Sequence, residues 1–469
     1  MKFYNREQEI RELQEAIKLS KSTGAQLTVL LGPRRIGKSS LIKNVFTQEK
    51  HFYFFVSKKK SALLLNEFSG ILNHAKKDNR TYQNWEEFLD KLLLYSLKEK
   101  ISIVFDEFQD FYKVDSSIFS IVQKLWDKYQ DQKNLNIVVA GSVITLLEKI
   151  FYSQKEPLYQ RATKKIFLRE FSFSAVQQIL QDHRSEKYNL EELLKFYGIF
   201  GGNPYFYQQI FKAGLFQESI IDILDKLIFS SNAILKNEGR ELLIQEFGKE
   251  YNSYFAILES IALNFSTFTR ILHHTKLEES VLVRNLKKLE NDFNLIKKLR
   301  PVFPNNQKTF KYQINNNFLS FWFRHVYHNQ SLVEAGVVQE ILENVSNNLS
   351  SLAGLSFEKY CLEYLLNKSY LKNISEFGSW WDRLGEIDLV LLSKKDKKVL
   401  IGECKINARE VNMKQVEKMQ QNVARMNIDS YQKELVLFCA QKVDSDIKSR
   451  LRKENITVLD KENLLSILL

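Results

Sequence analysis

Two sets of residues in this chain have types and spacings suited to chemistry on phosphates. The first is Gly32-Pro33-Arg34-Arg35-Ile36-Gly37-Lys38-Ser39, with Ser40 behind it. Two glycines framing four residues, followed by Lys-Ser, fit the phosphate-binding P-loop. In such a loop the backbone N–H groups and the following helix N-terminus converge on the β-phosphate of ATP. Lys38 reaches the β- and γ-phosphates, and the Ser39 hydroxyl ligates Mg²⁺. The second set is Asp388, Glu403 and Lys405. Two carboxylates can hold Mg²⁺ against a scissile phosphate, and a lysine beside them orients or deprotonates water and offsets the charge that develops.

The elements around the first set suit it. Residues 27–31 form a short apolar run that reads as a buried strand, and residues 41–46 read as the start of a helix. Residues 101–105 read as a central parallel strand ending in Asp106-Glu107. That is the place of a Walker B pair, with Asp106 holding Mg²⁺ through water and Glu107 polarising the attacking water. Residues 136–142 form another apolar strand. Its last residue, Ser142, either senses the γ-phosphate or simply turns the chain. Arg6 and Glu7 start a helix with Ile10, Leu13 and Ile17 on one face; they either frame the adenine or cap that helix. Arg161 reads either as an arginine finger or as a surface arginine.

Around the second set, residues 352–368 read as a helix carrying Glu358, a further metal contact. Residues 386–392 and 399–405 are apolar runs joined by a basic turn, which predicts a β-hairpin. Glu403 and Lys405, two apart, share one face, and Cys404 points to the other. Fourteen residues separate Asp388 from Glu403. This is the layout of a PD-(D/E)xK nuclease site, in which Gln415 on the next helix would position the nucleotide. Cys404 reads as a buried filler, since no histidine lies near it in sequence.

Between the two sets the chain turns helical from Ser172. Gly201-Gly202-Asn203-Pro204 is a loop signal before another helix. Residues 254–264, 266–274 and 279–293 read as three helices, the third with Leu282, Leu286, Leu289 and Phe293 on one face and Arg284, Asn285, Lys287 and Lys288 outside it. Two short strands flanking the polar turn 304–307 complete a winged helix. Its third helix either enters a DNA groove, with Lys287 and Lys288 on phosphates, or serves as a scaffold. Residues 318–327 form an aromatic helix best explained by packing, and the polar stretch 344–351 reads as a boundary loop.

A net charge of +12 suits either an anionic partner such as DNA or a lysine-rich solubilising surface. The three cysteines are too few and too scattered for a disulfide framework or a zinc pattern, which predicts a reduced setting. With no leader-like start and no apolar run of membrane-spanning length, the expectation is a cytoplasmic protein with no membrane partner.

Residues 3–7 (Phe-Tyr-Asn-Arg-Glu), the P-loop, Phe105-Asp106-Glu107-Phe108-Gln109, Ala140-Gly141-Ser142 and residues 157–163 together resemble the archaeal-type ATPase family, P-loop proteins of the AAA+/STAND division. Gln160 departs from that family's expected glycine. The resemblance implies that Arg161 is a finger or phosphate sensor, and that Gly202-Asn203-Pro204 brings a helical lid onto the nucleotide through Pro204. Residues 357–360, 380–383, 386–390 and 402–405 resemble the family's C-terminal restriction-endonuclease-like domain. The expectation is therefore an α/β multidomain chain: a P-loop NTPase parallel sheet (1–165), a helical lid (166–250), a winged helix (251–335) and a restriction-endonuclease-like α/β domain (336–469). Its expected function is ATP hydrolysis, with ATP and Mg²⁺ as cofactors, coupled to a DNA-binding nuclease-like domain in a homo-oligomer. The alternative is a nucleotide switch that governs assembly or transcription with an inactive nuclease fold.

Overall fold

The computed structural model describes residues 1–185, 189–247, 251–303 and 310–465. The expected wing turn at 304–307 lies outside them. The chain divides into two compact units. One is Met1–Glu170 with Asn203–Tyr205, and the other is Phe171–Gly202 with Phe206–Leu469.

The first unit is built on five parallel strands, β1 (Gln26–Leu31), β2 (His51–Phe55), β3 (Ser102–Asp106), β4 (Asn136–Gly141) and β5 (Lys164–Phe167). Their order across the sheet is β2-β3-β4-β1-β5, so β3 is an interior strand but β4 is the central one. Alternate residues feed two separate cores. Leu27, Val29 and Leu31 of β1 join Phe54, Phe105 and Val139 under the helices Ser61–Lys76, Trp85–Glu99 and Ile118–Tyr129. Leu30 joins Val104, Val138 and Ile166 under the helices Glu7–Ser22 and Lys38–Phe46. A parallel sheet needs apolar cover on both faces, which is why its strands read as nearly unbroken apolar runs.

The second unit begins with the helices Phe173–His183, Leu190–Phe200 and Pro204–Lys212, the last with its first two residues, Pro204 and Tyr205, assigned to the other unit. After the helical segments Ile220–Leu224, Asp225–Phe229 and Glu238–Phe247 come three helices, Tyr251–Ala262, Phe268–Thr275 and Glu279–Asn291. They lead to an antiparallel pair, β6 (Ile296–Leu299) and β7 (Lys311–Ile314). Asn285 is buried among Leu282, Leu286 and Leu289, so it is part of the packed face and not of the exposed one. Arg284 and Lys287 are exposed as expected.

The C-terminal part carries β8 (Glu376–Trp381), β9 (Glu386–Ser393), β10 (Lys398–Lys405), β11 (Gln432–Cys439) and β12 (Ile456–Leu459), in the order β12-β11-β10-β9-β8. β8, β9 and β10 are antiparallel, while β10, β11 and β12 are parallel. Val390, Leu392, Val399, Ile401 and Leu437 pack on Val416, Met419 and Val423 of the helix Met413–Ala424.

One expectation fails outright. Residues 344–351 are not a boundary loop but the middle of a 29-residue helix, Gln339–Asn367. Val345 and Leu349 are buried while Ser346, Asn347 and Ser350 face solvent. Polar residues confined to one face, with no proline or glycine to break the turn, make a helix and not a linker. Replacing the exposed Ser350 by proline should therefore cost about 3 kcal/mol. A fall of roughly 6–12 °C in Tm should accompany it. Ser350→Ala should be neutral or slightly stabilising, and thermal denaturation of the two variants side by side reads the difference.

Candidate functional site

The P-loop leaves β1 and enters the helix Lys38–Phe46. Gly37 has φ 94, a left-handed conformation that costs glycine nothing. Arg35 is also left-handed, at φ 62, and its guanidinium lies 4.2 Å from the centre of the Tyr205 ring. Pro204 sits close by, 3.9 Å from where a β-carbon on Gly37 would stand. The Lys38 ammonium is buried and donates to the carbonyls of Gly32 (2.7 Å) and Pro33 (2.9 Å), so it is held over the loop that would receive phosphate. Pro33, Ser39 and Ser40 are exposed, and Ile36 is buried as the loop's apolar anchor.

Because β4 lies between β1 and β3, the ends of three strands face the loop together. Asp106 is 3% exposed. It accepts hydrogen bonds from Ser39 Oγ (2.9 Å), from the Tyr53 hydroxyl and, through Oδ1, from the Glu107 N–H (3.0 Å). With its proton committed to Asp106, Ser39 presents only oxygen lone pairs outward, which is the arrangement a cation needs. Burial and the bond to Asp106 push the Tyr53 phenol far up, so it stays a donor. These residues fit Mg²⁺, with Ser39 and Asp106 as the groups that would hold it.

Glu107 follows in a left-handed conformation, φ 54. Its Oε2 accepts from Gln109 Nε2 (2.5 Å), Ser142 Oγ (2.8 Å) and Ser142 N–H (3.2 Å). Burial opposes its charge, but the bond from Gln109, the Lys38 charge and the two bonds from Ser142 outweigh it and hold the carboxyl below its ordinary range. Ser142 is thus a partner of Glu107, not a bare turn.

Arg6 neither caps its helix through its side chain nor lies on the surface. It is buried and donates to the carbonyls of Ile36 (3.3 Å) and Arg169 (2.8 Å), tying the P-loop to the segment after β5. Arg161 stands elsewhere. It pairs with Asp127 (3.1 Å), two residues before Thr163, whose N–H bonds Leu27 at the start of β1. The loop begins at the far end of that strand, five residues or about 16 Å away, beyond the reach of an arginine side chain. This placement puts Arg161 at the end of the sheet opposite its own chain's phosphate loop. Gln160 has φ 58, the conformation glycine serves, which accounts for the departure at that position as local strain.

In the second unit the ladder pairs Leu389 with Gly402, so Asp388 and Glu403 come side by side at its end. Asp388 Oδ2 accepts from the Cys404 N–H (2.8 Å). Glu403 Oε2 accepts from Lys405 Nζ (3.2 Å) and Gln415 Nε2 (3.0 Å), but its Oε1 is buried with no hydrogen-bond partner. Burial, with the neighbouring Asp388 charge, raises Glu403 to about 7. Burial, then Asp388, Glu386 and Glu403, raises Glu358 to about 8, and burial also raises Asp388. Burial works against the Lys405 charge, yet Glu403 and Asp388 outweigh it and hold it above the ordinary range. Among the described residues no three His, Cys, Asp or Glu side chains are placed to hold a metal ion as they stand. The orphaned Glu403 oxygen between like charges nevertheless fits a divalent cation whose remaining ligands are water, backbone and phosphate. Cys404 is a packed thiol, raised by burial beside Cys361. Beside Gln415, the helix Met413–Ala424 borders an open cleft of about 450 Å³ with Lys414, Lys418, Glu410, Glu417 and Gln421 on its wall.

The antiparallel pair β6/β7 is joined to this sheet. The Val302 N–H donates to Ser379 O (2.9 Å), and the Val302 side chain enters the C-terminal core. Lys311 pairs with Glu386 (3.3 Å) and lies 4.6 Å from the Trp381 ring centre.

Sequence reasoning missed Tyr53 and gave Gln109 no role. The alternation in His51-Phe-Tyr-Phe-Phe55 already sets Tyr53 on the face opposite Phe52 and Phe54, which enter the other core.

Residues 3–210 match a family described as an ATPase domain predominantly from Archaea, and residues 322–419 match one described as archaeal and bacterial proteins of unknown function. The second match spans Glu358, Asp388, Glu403, Lys405 and Gln415. The chain is 27% identical over 444 residues to an uncharacterized protein of Methanocaldococcus jannaschii, covering 92% of this chain and 94% of that protein. A Walker-type ATPase of Pyrococcus abyssi superposes with a TM-score of 0.50 at 19% identity, over 68% of this chain and 96% of its own. The ORC2 protein of Aeropyrum pernix in its ADPNP–ADP complexes follows at 0.49 and 12%, over 72% and 96%. The first unit is a nucleotide-binding ATPase domain. No helix among the described residues is long and apolar enough to cross a membrane.

The folded Glu403 carboxyl, at about 7, binds its proton more tightly than an ordinary glutamate. Its stabilising contribution is present below the ordinary value and is lost as pH rises through about 7. Glu403→Gln should therefore raise the Tm of metal-free protein at pH 8, by roughly 3 °C or more, and change it little at pH 4.5. Thermal scans at the two pH values check the sign.

Proposed function

We propose that this chain is an ATP-hydrolysing protein whose nucleotide state governs a metal-dependent, nuclease-like site acting on nucleic-acid phosphodiesters. In the first unit the loop from Gly32 to Ser40 cradles the phosphates and Lys38 moves from its two carbonyls to the β- and γ-phosphates. Ser39 and Asp106 hold Mg²⁺, which supplies charge neutralisation on the phosphate oxygens. Glu107 takes a proton from the attacking water as its oxygen bonds the γ-phosphorus. The bond to the β–γ bridging oxygen breaks and ADP leaves with the electron pair.

The observation that carries the second half is the unpartnered Glu403 Oε1, buried beside Asp388 and Lys405. A carboxylate in a purely structural role would be satisfied or replaced by an apolar residue. Asp388 and Glu403, with Glu358 behind them, would hold the cation. Lys405 would face the water, and Gln415, Lys414 and Lys418 would line the path of the strand. The three helices with β6/β7 are read as a winged helix. The tie through Val302 supports it as the nucleic-acid guide of this site, with the exposed Lys287 as its phosphate contact. Pro204 beside Gly37 supports coupling through the lid. Arg161, paired with Asp127 away from the loop, is read either as a finger toward the nucleotide of a neighbouring copy or as a surface arginine. A second reading keeps the switch and drops turnover at the acid site, and the lack of three converging ligands among the described residues favours it.

Lys38→Ala should abolish ATP hydrolysis, read by phosphate release. With Mg²⁺ or Mn²⁺ the wild type should cleave DNA, and Asp388→Ala and Lys405→Ala should each lose at least about a hundredfold in rate. ATP-dependent change in oligomer size without any cleavage would select the second reading.

A further inference from the structure

Gln109 belongs to the short turn Phe108–Asp110 and is 2% exposed. Its amide lies over Gly141, the last residue of β4. A β-carbon on Gly141 would stand 1.9 Å from Gln109 Oε1, so the amide can dock only because that position is glycine. Docked there, it donates from Nε2 to Glu107 Oε2 at 2.5 Å, while its own Oε1 is buried with no hydrogen-bond partner. A methionine would fill the same volume without burying an unsatisfied oxygen. The retained amide therefore points to work done by its N–H group.

We propose that Gln109, seated on Gly141, is a positioning residue for ATP hydrolysis. Together with the N–H and hydroxyl of Ser142 it commits Glu107 Oε2 to three donors. Oε1 is then the one oxygen of Glu107 that faces the reaction and takes the proton of the attacking water. The geometry is set before nucleotide arrives, because all three donors come from strand ends and a turn fixed by the sheet. Preorganised donors of this kind cost no rearrangement at the moment of reaction.

This inference rests on Glu107 being the group that activates water, and the experiment separates the two. Glu107→Gln should abolish hydrolysis while retaining nucleotide binding; sustained turnover in that variant would sink the Glu107 reading and this inference with it. Gln109→Met keeps the volume and removes the donor. It should leave Tm unchanged or higher and leave the Kd of a fluorescent ATP analogue unchanged, while kcat falls roughly 10–100-fold. Gly141→Ala should displace the same amide and give a similar loss. The double variant Gln109→Met/Gly141→Ala should be no slower than Gln109→Met alone, since both changes remove one interaction. Wild-type kcat in Gln109→Met overturns the inference whatever Gly141→Ala does. A rise in kcat overturns it too, since it would mark the amide as a restraint on Glu107.

Discussion

A carboxylate taken out of water must be supplied with donors or with a counter-ion, and the two halves of this chain meet that demand differently. At Asp106 the protein supplies donors: Ser39, Tyr53 and a backbone N–H converge on it. Glu107 is treated the same way by Gln109 and Ser142. The first site is therefore complete as a protein structure, and its charges are aimed before any ligand enters. At Asp388 and Glu403 the protein supplies one lysine, one amide and one N–H for two acids, with Glu358 near enough to add to the repulsion. That site is balanced only when protons or a cation make up the difference.

The strand order explains why the first site works as a unit. Inserting β4 between the P-loop strand and the Asp106 strand puts Ser142 between them, where it can hold Glu107. The same order carries Arg161 to the other end of the sheet, because it precedes β5 where Asp106, Glu107 and Ser142 follow their strands. Position before or after a parallel strand decides which end of the sheet a residue serves.

Much of this was legible in the sequence, for physical reasons. The P-loop, the strand before Asp106 and the hairpin carrying Asp388 and Glu403 are local patterns, and each folded as its period required. The long helix Gln339–Asn367 was cut short because eight mostly polar residues look like a linker unless the burial of Val345 and Leu349 is known. Asn285 was placed outward because an amide among leucines breaks the apolar pattern. Tyr53, Gln109 and the inward turn of Arg6 escaped notice because their partners lie far off in sequence, or because they act on backbone atoms that no motif records.

Asn203–Tyr205 belong to the first unit although the chain on both sides of them belongs to the second. The family match to the ATPase domain likewise runs on to residue 210, well past the last strand of its sheet. During synthesis a chain ended at residue 170 would have every strand of that sheet but lack the proline beside Gly37 and the ring against Arg35. Those two contacts of the phosphate loop form only after the first helices of the next unit have emerged. A truncation placed at the apparent end of the sheet would remove the proline and the ring that lie against Gly37 and Arg35 of the phosphate loop.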